Sequence, residues 1–139
     1  MTITSLATPL RGPVSMRVPF AAESASSVRH ALESWLGAHD VPEPVVNDAR
    51  LIVSELVGNA VRHASPLGED AVLVRWRLEE DLLVLSVCDG GGPTAPARVL
   101  AAMDAVGGRG LAIVEALATA WWVERTQQVH AVHVRLALA

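Results

Sequence analysis

The stretch from Pro44 to Ala64 constrains the fold of this chain most strongly. Its apolar residues recur at helical spacing, which predicts a helix of about six turns with one face to bury. Pro44 suits a first helical turn, and the Ser65-Pro66-Leu67-Gly68 segment ends the helix. The apolar positions are Val45, Ala49, Ile52, Val53, Leu56, Ala60 and Val61. A sheet or further helices must therefore cover this face.

The remaining periodicity predicts one shorter helix before this one and several strands around it. The predicted helices are Glu23 to about Ala38 and about Leu111 to Ala118; the predicted strands are Met16–Phe20, Ala71–Leu78, Leu82–Cys88, Trp121–Thr126 and His130–Leu138. Residues 1–15 lack periodicity and predict a flexible N-terminal arm, with one domain over 16–139. The predicted fold class is α+β, a two-layer sandwich of a mostly antiparallel sheet with helices on one face.

Composition narrows the classes of function. The 139 residues are 51% hydrophobic, enough for one domain with its own core. A net charge of -4 argues against direct nucleic-acid binding, and all 11 basic residues are arginines, which excludes lysine-dependent chemistry. The single cysteine, Cys88, excludes an internal disulfide and a cysteine-rich zinc site. Without a signal-peptide pattern or a membrane-length apolar run, a cytoplasmic protein away from membranes is expected.

Three polar residues share one face of the long predicted helix. Glu55, Asn59 and His63 are spaced at i, i+4 and i+8, opposite the apolar stripe. At a phosphate site, the carboxylate can accept a proton from an attacking hydroxyl and the amide oxygen can bind a hard divalent cation. The alternative is a solvated polar face.

Two glycine-rich segments are further candidates. Asp89 ends a predicted strand and precedes three glycines, so its carboxylate can accept from an exocyclic amine where the backbone approaches closely. Gly107-Gly108-Arg109-Gly110-Leu111 enters a predicted helix, where backbone N–H groups and an arginine favour phosphate. The alternatives are a glycine-rich turn and a flexible loop-to-helix junction.

The order of these segments resembles the N, G1 and G2 boxes of the GHKL (histidine-kinase-like) ATPase superfamily, with its Bergerat ATP-binding fold. The run from Asp48 to Ala64 is most similar to the single-domain anti-sigma-factor serine kinases common in actinobacteria. The resemblance covers about residues 16–138. The short chain favours this compact type over sensor histidine kinases and over members with a following transducer domain.

The resemblance implies roles for individual residues. Glu55 matches the general base, Asn59 the Mg²⁺ ligand, and Asp89, with Gly91 beside it, the carboxylate that reads adenine. Residues of about 93–106 match the ATP lid. The remaining implied nucleotide-binding residues are His63, Gly108, Arg109, Gly110 and Leu111.

The resemblance also implies partners and an activity. ATP with Mg²⁺ would phosphorylate a serine on an anti-anti-sigma (STAS-type) protein, which competes with a sigma factor for the kinase; a homodimer is also compatible with the family.

Two positions depart from the family pattern: Pro93 replaces a G1 glycine, and Val129-His130-Ala131-Val132 lacks the threonine that supports the adenine aspartate. Thr126 and Ser86 are candidates to replace that hydroxyl. The alternative function is a non-catalytic partner-binding module with a degenerate or structural nucleotide site.

Overall fold

A computed structural model describes residues 12–91, 97–100, 111–126 and 128–139. The helices of this part are α1 (Ser24–Ala38), α2 (Glu43–His63) and α3 (Ala112–Leu117). Its strands are β1 (Val14–Pro19), β2 (Ala71–Glu79), β3 (Leu82–Asp89), β4 (Ala97–Leu100), β5 (Ala120–Arg125) and β6 (His130–Ala137). They form one sheet in the order β1-β2-β3-β6-β5-β4, and every neighbouring pair is antiparallel. The predicted α+β class is confirmed.

The predicted helices and strands agree with the structure to within about two residues at each end. Strand β1 begins at Val14, so the last two residues of the predicted arm already pair with β2. Strand β4 was not predicted. It pairs with β5 inside the stretch that resembles an ATP lid, because β5 offers it a free edge. The rest of that stretch, including Pro93, lies outside the described residues.

The core lies between α1, α2 and one face of the sheet. Alternate residues of β2, β3 and β6 point into it, as the two-residue period of a strand requires. Helix α2 contacts α1, α3, β3 and β6, so more than one of its sides is covered. Val46 and Val57, which the predicted apolar stripe omitted, are buried for this reason.

Strand alternation also separates neighbouring polar and aromatic side chains. Trp121 enters the core whereas Trp122 stacks on His133 on the opposite face. His130 is buried on the core side of β6, and His133 lies on the other face. No described helix combines the length and the apolar character that a membrane crossing requires.

Candidate functional site

The polar residues of α2 range from buried to exposed. The Asn59 side chain belongs to a residue only 2% exposed, so the interpretation as a solvated face is wrong for this residue. The Glu55 side chain is 28% exposed, and His63, near the helix end, is open to solvent. Asn59 is therefore buried and Glu55 partly buried, whereas His63 is exposed at the end of the helix.

Arg62 brings the two candidate oxygens together. Its Nη2 donates to Asn59 Oδ1 at 2.7 Å and lies 3.7 Å from Glu55 Oε2. No role was predicted for Arg62, although its i+3 spacing from Asn59 is a signal that the sequence contains. Both oxygens thus face one positive charge, carried by a side chain that is 57% exposed.

This arrangement fits a hard divalent cation. Amide and carboxylate oxygens are the ligands that Mg²⁺ takes from proteins, usually one or two beside phosphate oxygens. Here the two oxygens already converge on a cationic group. The buried Asn59 Nδ2 has no hydrogen-bond partner among the described residues, so the amide can reorient without breaking a bond on that side.

Asp89 is the buried carboxylate at the end of β3. It is 2% exposed, and its Oδ1 accepts a hydrogen bond from the Gly91 backbone N–H at 2.7 Å. Its Oδ2 lies 3.4 Å from His130 Nδ1, because β3 and β6 pair with these two residues directly opposite each other. Two groups from different parts of the chain therefore hold this carboxylate in place.

His130 lies beside Asp89, at the position where Thr126 or Ser86 was expected to supply a supporting hydroxyl. Thr126 Oγ1 instead accepts from Val129 N–H at 3.0 Å in the β5–β6 turn. Ser86 Oγ lies 2.7 Å from His133 Nδ1 on the other face of the sheet. The sequence signal for His130 was its position on the core-facing side of β6, but the pairing register was needed to place it against Asp89.

The glycines after Asp89 pack closely against the backbone that follows α2. A Cβ on Gly90 would overlap the carbonyl oxygen of Pro66 and stand 2.9 Å from its carbonyl carbon. Gly90 N–H donates to Ser65 O at 2.7 Å, and Ser65 N–H donates to Gly91 O at 3.2 Å. These bonds tie the end of α2 to the turn after β3. The helix with Glu55 and Asn59 and the strand with Asp89 consequently form one unit.

We expect Gly90→Ala to lower the free energy of unfolding by about 2 kcal/mol or more, because neither backbone can yield without losing these hydrogen bonds. Urea unfolding measures it. The matched control is Gly68→Ala, where a Cβ meets nothing within 4 Å; we expect a change below about 0.5 kcal/mol. Equal midpoints for the two variants would show that the close approach at Gly90 is unimportant.

The third candidate segment is described only at its end. Gly108, Arg109 and Gly110 lie outside the described residues, and their phosphate-binding roles stay predictions. Leu111 is half-buried against the core and precedes α3, which packs on α2. The described end of this segment therefore adjoins the helix that carries Glu55 and Asn59.

Cys88 does not contribute a nucleophile to this site. Burial raises the pKa of the Cys88 thiol above its ordinary value, and the negative charge of Asp89 raises it further. The thiol is therefore protonated at neutral pH. Its side chain faces away from Asp89, because adjacent strand residues point to opposite faces.

The helices lie on one face of an antiparallel sheet, and the helix with Glu55 and Asn59 is tied to a strand that ends in the buried Asp89. This arrangement defines a histidine-kinase-type ATPase fold. The family model described as "Histidine kinase-like ATPase domain" matches residues 18–136, and the chain belongs to this family.

A solved structure gives the same fold. The crystal structure of the RsbU and RsbW domains of Rv1364c from Mycobacterium tuberculosis matches with a TM-score of 0.71 and 22% identity. The match covers 91% of this chain and 32% of that chain, so this chain spans about a third of its length. At this identity the likeness shows the fold alone. No curated protein matches the sequence.

Proposed function

We propose that this protein binds ATP with Mg²⁺ and acts as an anti-sigma factor of the serine protein kinase type. Membership in the histidine kinase-like ATPase family supports nucleotide binding. The observation that carries the proposal is the buried Asp89 carboxylate, held by Gly91 and His130 and tied through Ser65 to the helix with Glu55 and Asn59.

Asp89 is suited to read adenine. The Gly91 N–H and the His130 ring fix the orientation of this buried carboxylate, and an ionised carboxylate accepts hydrogen bonds, as contact with an exocyclic amine requires. Gly91 has φ +68°, a conformation that favours glycine, and its N–H donates to Asp89 Oδ1. The proposed ligand is therefore an adenine nucleotide.

The proposed reaction transfers a phosphoryl group to a partner. The oxygen of the partner's serine bonds to the γ-phosphorus, its proton passes to Glu55, and the bond to the β–γ bridging oxygen breaks, which releases ADP. Asn59 would hold Mg²⁺, which neutralises phosphate charge when bound. Arg62 must leave Asn59 Oδ1 before that oxygen binds a cation. We assign His63, Gly108, Arg109, Gly110 and Leu111 to the phosphate side.

The proposed partners are an anti-anti-sigma protein of the STAS type and a sigma factor. The likeness to a structure that contains an RsbW domain supports this class. The unphosphorylated STAS-type protein would displace the sigma factor, and phosphorylation would release the kinase to bind the sigma factor again. We place this exchange in the cytoplasm, without direct contact to nucleic acid or membrane, and a homodimer is compatible with it.

Calorimetric titration of the purified protein with ATP, with and without Mg²⁺, tests the nucleotide site. We expect micromolar affinity that depends on Mg²⁺. The absence of heat at millimolar ATP would favour a second function, a partner-binding module without catalysis. The specific observation behind that second function is Arg62, which donates to Asn59 Oδ1 and pairs with Glu55, so it occupies the two oxygens that a magnesium site needs.

His130 is a positioning residue for Asp89 in this proposal. We expect His130→Phe to weaken ATP binding about tenfold, because Asp89 Oδ2 loses a polar neighbour, while His130→Asn keeps a donor there and stays closer to wild type. The informative readout is the ratio of ATP to ITP affinity, since ITP lacks the exocyclic amine. A ratio unchanged in His130→Phe, in a variant with normal thermal unfolding, would remove His130 from this role.

A further inference from the structure

The sheet face that points away from the helices contains a second concave surface, which the proposed ATP site does not use. This cleft has a volume of about 390 Å³ and is lined mainly by β2, β3, β5 and β6. Ser86 and His133 face it, whereas Asp89 and His130 lie on the helix side. Because strand residues alternate between faces, the cleft and the Asp89 site are separated by the sheet.

The cleft is positively charged in an acidic protein. Arg75, Arg77 and Arg135 line it, and Glu124 is the one carboxylate among its described lining residues; Glu79 pairs with Arg77 beside the cleft, so three cations still face two carboxylates. Glu124 Oε1 is already engaged, 2.8 Å from His133 Nε2. The chain as a whole carries a net charge of -4. An excess of cations at this one place therefore attracts an acidic partner.

Contacts within the chain already hold the His133, Trp122 and Arg135 side chains of the cleft in place. Ser86 Oγ lies 2.7 Å from His133 Nδ1, and the Trp122 ring stacks on His133 with centroids 5.2 Å apart. The Arg135 guanidinium carbon stands 4.9 Å from the centroid of Trp122. Since these side chains are already ordered, binding here costs little side-chain entropy.

The spacing of the arginines indicates the shape of the ligand. Arg77 pairs with Val84, and Val84 pairs with Arg135, so the two arginines lie in one row two strands apart. Two strand spacings are about 10 Å, more than one small anion spans. On an extended peptide, carboxylates two residues apart share one face about 7 Å apart and those four residues apart about 14 Å, a range that the long Arg and Glu side chains can match to this spacing.

We propose that this cleft binds an acidic segment of a partner protein in an extended conformation. Carboxylates of the segment pair with Arg75 and Arg77 at one end and with Arg135 at the other. The half-buried indole of Trp122 packs against the chain between them. Arg77 already has a carboxylate in contact, since Glu79 Oε2 lies 2.7 Å from its Nη2. Because Glu79 contacts Nε and Nη2, a carboxylate of the partner would bind Arg77 through its Nη1 group or displace Glu79.

Fluorescence anisotropy tests the proposal with the whole chain and a fluorescein-labelled peptide of eight residues that alternates Glu and Thr. We expect saturable binding at low salt that weakens as salt screens the charges. The double variant Arg75→Gln and Arg135→Gln should bind about tenfold more weakly or worse. The matched control, Arg29→Gln and Arg50→Gln, removes the same charge from the helical layer and should stay within about twofold.

Three results would overturn the proposal: equal binding of a Gln-Thr peptide, equal losses in the two double variants, or displacement of the peptide by an eight-nucleotide oligo-dT at lower concentration. The last would assign the cleft to nucleic acid. ATP affinity is measured in the same variants and should not change, because the sheet separates the two sites. A negative peptide experiment therefore does not contradict the proposed ATP function. A negative ATP titration likewise does not contradict peptide binding at the cleft.

Discussion

Asp89→Asn raises the Kd for ATP about hundredfold or more if this carboxylate reads adenine. An amide has one acceptor oxygen, and Gly91 N–H already requires an acceptor at 2.7 Å. The other position then presents an NH₂ group towards the exocyclic amine, so that two donors face each other in a buried place. A loss of about 2.7 kcal/mol corresponds to that hundredfold change. Calorimetric titration with ATP and Mg²⁺ measures it.

The control for this prediction is Asp81→Asn. It makes the same chemical change at an exposed residue in the β2–β3 turn and should leave ATP affinity unchanged. Thermal unfolding of both variants separates a loss of binding from a loss of fold. Wild-type affinity in a folded Asp89→Asn protein would exclude this residue from the adenine site.

If Glu55 is the general base, we expect Glu55→Gln to slow ATP turnover by about 10²- to 10⁴-fold, because glutamine has the same shape but cannot accept the proton of the attacking hydroxyl. ATP affinity should change only a few fold. The loss of attraction to Arg62 affects stability little, since the charges are 3.7 Å apart and the arginine is exposed. The rate of ADP formation, with and without a STAS-type partner, is the measurement.

The matched variant for Glu55 is Glu33→Gln, which removes a surface carboxylate that pairs with Arg50 on the helices. It should turn over ATP at the wild-type rate. If Glu55→Gln retains that rate as well, another group takes the proton and the assignment of the base is wrong.

Local periodicity was enough to predict α2, because the burial of a helix face repeats within a few residues. The predicted span from Pro44 to Ala64 compares with Glu43–His63 in the structure. Strand β4 escaped prediction because four residues contain little pattern and its partner, β5, is about 20 residues away in the sequence. The class of fold was therefore readable from the sequence, whereas the order of strands required the structure.

For the candidate site, too, part could be predicted from the sequence and part required the structure. Glu55, Asn59 and Asp89 were identified from spacing and from resemblance, but their neighbours were not. His130 contacts Asp89 across 41 residues of sequence, through a register that no local pattern specifies. The glycine at position 90 was interpreted as room for a ligand, and the structure places the Pro66 carbonyl there instead.

The central position of β3 has a consequence for how the domain opens. This strand is hydrogen-bonded to β2 on one edge and to β6 on the other, whereas β1 and β4 each have one neighbour among the described strands. Amide protons of such an inner strand exchange with solvent only when the sheet opens broadly, and those of outer strands exchange through local fraying. Asp89 is the last residue of β3, so its carboxylate is carried by one of the two central strands of the sheet. The outer strands can therefore fray locally while this carboxylate stays in register.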